Sequence, residues 1–121
     1  MQLRPQQATL GALVLICTED VTAFAQISDA AFAEQSRAVR DIEATLSRLF
    51  GYDRINYLML MMVDPQVHYH VLPRYSAAPR FDGTAFEDPG WPGPPQLGHA
   101  TEIGDATRQR LLDRLRGEWP A

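Results

Sequence analysis

Residues 55–75, INYLMLMMVDPQVHYHVLPRY, constrain what this chain can fold into more than any other stretch. Residues 55–63 are apolar at nearly every position, the pattern of a strand buried on both faces. Asp64-Pro65 is a turn dipeptide, because Asp can bond its own backbone and Pro presets φ for a type I turn. In a strand, side chains alternate faces. Residues 66–72, read as a strand, therefore turn Gln66, His68, His70 and Leu72 one way and Val67, Tyr69 and Val71 the other. The expectation is a hairpin: a buried strand, a tight turn, and a second strand presenting two of the three histidines with an amide beside them.

The rest of the chain supplies what would cover such a hairpin. Residues 1–9 are polar and read as frayed or extended, and residues 10–17, LGALVLIC, read as a buried strand. Ser28 is a good N-cap, since its hydroxyl can accept from the open N–H groups of a first turn, and Asp29 suits the dipole there. Phe32, Val39, Ile42, Leu46 and Leu49 then recur at helical spacing, and Gly51 follows as a C-cap. A helix over residues 29–50 is roughly 33 Å long, enough to cover a sheet of about four to six strands. Residues 76–100 hold five Pro and four Gly, so no regular element is expected there. Phe81, Phe86, Trp91 and Leu97 should hold that segment on the body of the protein. Asp105 can cap a short helix to Arg116 with Leu111, Leu112 and Leu115 inward, and Gly117 can end it. The fold class is α+β: an antiparallel sheet with a long helix packed on it and a short C-terminal helix. Residues 1–121 form one domain, with a core over about 8–75, a loop over 76–100 and the last helix over about 105–116.

Charge and composition remove several functions. A net charge of −4 leaves no electrostatic footprint for nucleic acid or an anionic membrane. No secretory leader is expected from the first residues, and no apolar run approaches the ~20 residues needed to span a bilayer. The lone Cys17 cannot form an internal disulfide, so a cytoplasmic location is expected. All eleven basic residues are Arg, which excludes Schiff-base and P-loop lysines. Phosphate binding must then use Arg, His, amides or backbone N–H groups.

The His68-Tyr69-His70 pair has three readings. One is the wetter side of a half-buried strand. Another is a metal site, which needs a third ligand that the neighbouring sequence does not supply. The last is nucleophilic catalysis at phosphorus, since a neutral imidazole is a good nucleophile near neutral pH and its neighbour can bind phosphoryl oxygens. Around the pair, Asn56 reads as a strand-edge hydrogen-bonder and Arg74 as a phosphate ligand or a surface ion-pair partner. His99 reads as a solvated loop histidine, Trp91 as a lid or a dimer contact, and the methionines from Met59 to Met62 as core.

Gln66-Val67-His68-Tyr69-His70-Val71-Leu72, followed by Pro73-Arg74, resembles the signature of the histidine triad (HIT) superfamily, His-φ-His-φ-His-φ-φ with φ apolar. Gln66 stands where the first motif His would be. The order of a strand, a long helix closing on Phe50-Gly51, a buried strand and the motif strand is also similar. Leu72-Pro73-Arg74 resembles the Fhit-like, diadenosine-polyphosphate hydrolase branch, and Asp88-Pro89-Gly90-Trp91-Pro92 resembles a segment of some bacterial HIT proteins. The resemblance spans roughly residues 8–100. It implies a HIT-like fold, a homodimer and a nucleotide substrate. His68 is then the nucleophile at the α-phosphorus, His70 binds the phosphate and the departing group, Gln66 orients its neighbours, and Asn56 and Arg74 contact the substrate. No cofactor is required, and a divalent metal is expected only as a companion of the substrate. Against that family, the N-terminal strands are expected to be missing, and Gly11 is followed by Ala12 where many members have His. Arg4, Gln6 and Gln7 are the residues left to complete the nucleoside pocket. Two alternatives stay open: a nucleotide-binding HIT protein with little turnover, and a non-HIT, metal-dependent His-x-His protein.

Overall fold

The computed structural model describes residues 1–120. Gln2–Leu3 (β1) pairs antiparallel with Leu13–Ile16 (β2), with Gln2 opposite Val14 and Leu3 opposite Leu13. One short N-terminal strand is thus present where the sequence suggests a frayed end and the family resemblance suggests missing strands. The connection between β1 and β2 folds inward, with Gln7, Ala8 and Thr9 buried. Gln7 makes this tolerable by serving the turn's polar groups. Its amide donates to the carbonyls of Arg4 and Ala12 and accepts from the Gly11 N–H. Gly11 has φ +86°, and a Cβ there would meet the Phe50 ring at 3.1 Å.

The long helix α1 runs over Asp29–Phe50 as expected. The Ser28 hydroxyl accepts from the Ala31 N–H at 3.0 Å and donates to Glu19 at 2.6 Å, which couples the cap to the preceding loop. Gly51 closes the helix in the left-handed region, its N–H bonded to the Ser47 carbonyl. Ile42 and Leu46 bury fully against Leu10, Leu13, Val71 and Tyr75.

Arg54–Leu58 (β3) and His68–Arg74 (β4) complete an antiparallel sheet of order β1-β2-β4-β3. The tight hairpin expected from the sequence is wrong in length. β3 stops at Leu58, and Leu60, Met62 and Val63 are 45%, 85% and 98% exposed rather than core. Met61 takes a positive φ, which ends the extended chain. The connection is then drawn along the end of β2: Val67 donates to the Val21 carbonyl, and its own carbonyl accepts from the Cys17 N–H. β4 consequently starts at His68, not Gln66.

Two further expectations change. The Pro- and Gly-rich segment contains a small hairpin, Arg80–Phe81 (β5) with Thr84–Ala85 (β6), joined by Asp82-Gly83 at positive φ, the backbone that such two-residue turns need. The last helix, α2, spans Asp105–Glu118 and starts from Gly104 without a side-chain cap. It continues through Gly117 because Arg48 holds both the Glu118 side chain and its carbonyl, and Trp119 packs on the core. No helix among the described residues is long and apolar enough to cross a membrane.

Candidate active site

β4 is extended, so His68, His70, Leu72 and Arg74 share one face of the sheet. Val71 and Tyr75 pack with α1 on the other face. Pairing across strands sets Ile16 opposite His68, and Gln2, Val14 and His70 in one row. Both imidazoles border a cleft of about 350 Å³ whose outer wall is Leu60, Met62 and Asp64.

His68 is 8% exposed, and its Nδ1 lies 2.7 Å from the Gln66 main-chain carbonyl oxygen. A carbonyl only accepts, so Nδ1 carries the hydrogen and the neutral ring keeps its lone pair on Nε2. The His70 ring sits edge-on to it, centroids 5.2 Å apart at 79°. Burial, then the nearby Arg4 guanidinium, then His68 hold the His70 pKa below its ordinary value, which keeps His70 neutral at pH 7. His70 Nδ1 is buried without a partner. No hydrogen bond holds the His70 ring in one tautomer, so either nitrogen can carry its proton. His68 thus offers a lone pair, and His70 is free to present an N–H beside it.

Gln66 is not on the histidine face as a strand residue. It lies before β4, its side-chain amide donates to the Cys17 carbonyl at 2.6 Å, and its N–H donates to Asp64 at 3.0 Å. What position 66 gives His68 is a backbone carbonyl.

Arg74 and Asn56 belong to a different arrangement. Arg74 is 3% exposed, and its Nε and Nη2 donate to Asp88 at 2.8 and 3.0 Å. Its Nη1 donates to Asn56 at 2.8 Å, and Asp88 also accepts the Tyr75 N–H. This is a buried bidentate ion pair, not a surface one. Leu72, fully buried, separates it from His70 along β4. Asn56, Arg74 and Trp91 border a separate cavity of about 530 Å³. His99 is half-buried with Nε2 unpartnered, not solvated. Among the described residues, no three His, Cys, Asp or Glu side chains converge as metal ligands would. The sequence reading missed Asp88 as the partner of Arg74, and the Gln66 carbonyl, which no residue-type pattern could reveal.

No family model matches the sequence, and no curated protein matches it significantly. Solved structures do match. A histidine triad protein from Sinorhizobium meliloti 1021 superposes with a TM-score of 0.75 at 21% identity, over 96% of this chain and 79% of that one. A histidine triad protein from Bradyrhizobium japonicum gives 0.74 at 18% identity, over 98% and 81%. A hypothetical histidine triad nucleotide-binding protein from Sulfolobus tokodaii strain7 gives 0.73 at 15% identity, over 96% and 74%. With the antiparallel sheet, the long helix α1 and the helix α2 all in place, this chain has the histidine triad fold.

Proposed function

We propose that the chain is a nucleotidyl hydrolase or transferase acting at the α-phosphorus of a nucleoside phosphoanhydride or phosphoramidate. The observation that carries this reading is the His68 Nδ1–H bond to the Gln66 carbonyl, which leaves the Nε2 lone pair free for attack. In the first step an Nε2–P bond forms and the bond to the leaving group breaks, the electron pair departing with that group. His70, neutral and carrying its proton on Nε2 in this scheme, donates to a phosphoryl oxygen or to the departing oxygen or nitrogen. Water, or another acceptor, then cleaves the N–P bond, gives up a proton and restores neutral His68. Gln66 is a positioning residue in this scheme, and Asn56 and Arg74 support the fold beside the site instead of contacting phosphate. No resident cofactor takes part; a divalent cation enters, if at all, with the nucleotide. The nucleotide-binding description of the Sulfolobus tokodaii neighbour is consistent with this substrate class. A two-fold dimer and a cytoplasmic location complete the proposal.

The test is to trap nucleotidylated protein by mass spectrometry after mixing with a dinucleoside polyphosphate or an adenosine phosphoramidate. Wild type should label, and His68→Ala and His68→Asn should not, with turnover reduced by several orders of magnitude. His70→Ala should lose less, since it assists without attacking. His68 variants that turn over at the wild-type rate refute the mechanism. A second reading, nucleotide binding with little turnover, is favoured by one observation: the Gln66 amide is committed to Cys17, so no third proton-carrying group faces the pair. Binding without labelling selects it. Activity abolished by chelator, with no nucleotidylated His68 formed in the chelator's absence, would select the metal-dependent alternative.

A further inference from the structure

Arg4 extends β1 by one residue, on the sheet face that carries the histidine pair. Its N–H donates to the Ala12 carbonyl at 2.9 Å, one step beyond the Leu3–Leu13 pair, so it continues the β1–β2 pairing. Alternation puts Arg4 on the side of Gln2, which is the histidine face. Its guanidinium is half-buried, its Nη1 donates to the Gln6 carbonyl at 3.3 Å, and no carboxylate pairs with it among the described residues. It is near enough to His70 to act on its proton equilibrium. A half-buried guanidinium with no carboxylate partner keeps N–H donors available to an incoming anion. Arg74 is less suited to that anion, because Asp88 already neutralises its guanidinium and three of its five N–H donors are used.

The order along the sheet indicates where the anion belongs. Arg4 pairs at Ala12, the next row on that face is Gln2–Val14–His70, and the next is Ile16–His68. Successive rows on one face are roughly 7 Å apart. Attack by His68 Nε2 expels the leaving group on the far side of the phosphorus. Arg4 stands one row beyond His70 and two strands from β4, so a polyphosphate leaving group that passes His70 meets Arg4 by extending across β2. We infer that Arg4 binds the anionic leaving group of the substrate and so directs the site toward phosphoanhydrides over phosphoramidates. This rests on the nucleotidyl-transfer reading of His68. In the anhydride reaction the Nε2–P bond forms, the P–O bond breaks, and the electron pair stays on a phosphate oxygen. His70 Nε2–H and the planar guanidinium fork both suit that oxygen. An amine leaving group carries no negative charge for Arg4 to pair.

The experiment compares wild type, Arg4→Gln and Arg4→Lys in single-turnover nucleotidylation by diadenosine triphosphate, which releases ADP, and by adenosine 5′-phosphoromorpholidate, which releases an amine. Arg4→Gln should lose about ten- to hundredfold more rate with the anhydride than with the phosphoramidate. Arg4→Lys should recover part of the loss. In parallel, inorganic pyrophosphate should shift the His70 ring resonances of wild type and leave those of Arg4→Gln unmoved. Equal losses on both substrates, or none on either, overturn the inference. If neither substrate labels wild type, the nucleotidyl reading itself fails. Pyrophosphate binding then decides the Arg4 site alone, and binding unchanged in Arg4→Gln overturns it.

Discussion

Gln66 gives its main-chain carbonyl to His68 and its side-chain amide to Cys17, so the ring is held through the backbone and the backbone through the amide. Gln66→Ala should therefore leave the carbonyl in place but loosen it. A lost hydrogen bond is worth about 1 kcal/mol net, which corresponds to a slowing of about fivefold. Single-turnover nucleotidylation by the proposed route measures this, and an unchanged rate would show that the Cys17 tether does not position His68. His70 carries a pH signature. Its folded pKa lies below the ordinary imidazole value of ~6.5. The unfolded chain then binds more protons than the folded one in the window just below ~6.5. The stability that His70 contributes is present above the unfolded value and is lost as pH falls through the lowered folded one. Unfolding midpoints of wild type should thus fall below those expected from a His70→Asn series as pH drops under ~6.5, and parallel curves for the two proteins would remove His70 from the account. The two histidines were legible in the sequence because strand alternation sets their common face. The tautomer of His68 was not, since it depends on a carbonyl that every residue possesses.

Among the elements, α1 was legible to the residue because three independent signals agree: the Ser28 cap, the helical apolar period and the Gly51 stop. The end of β3 was not, because an apolar run reads as buried whether it enters a core or walls a cleft. Leu60, Met62 and Val63 do the latter, and only the positive φ at Met61 distinguishes the cases. The end of α2 was misread for the opposite reason. Gly117 is a stop by local propensity, but the contacts of Arg48 with Glu118 and of Trp119 with the core override it. The turn before β2 offers the sharpest test of element packing. Gly11 combines φ +86° with a Cβ position 3.1 Å from the Phe50 ring and 3.3 Å from Leu46. Gly11→Ala should destabilise by more than the ~1 kcal/mol expected of an ordinary substitution, because strain and overpacking coincide and both neighbours belong to the core face of α1. Denaturant unfolding would read this as a lower midpoint at constant slope. An unaltered midpoint would mean that the turn can rotate out of the positive-φ region without cost.

Across the whole molecule the sheet order β1-β2-β4-β3 leaves β3 with a partner on one side only within the subunit. Its residues Asn56, Tyr57 and Leu58 are half-buried, not blunted by charge or proline, and the exposed Leu60, Met62 and Val63 follow directly. An open edge of this kind invites pairing with another strand. The symmetric solution is a second copy meeting β3 across a two-fold axis, which satisfies the same row of backbone groups on both subunits. The opposite edge is less suited, because β1 is only two residues long. The expected outcome is a dimer by light scattering at micromolar concentration, with outward-facing β3 amides protected from hydrogen exchange and losing that protection on dilution. A monomer at micromolar concentration would sink the idea. A dimer whose β3 amides exchange freely would place the interface elsewhere and leave the apolar rim at Leu60, Met62 and Val63 to the cleft alone.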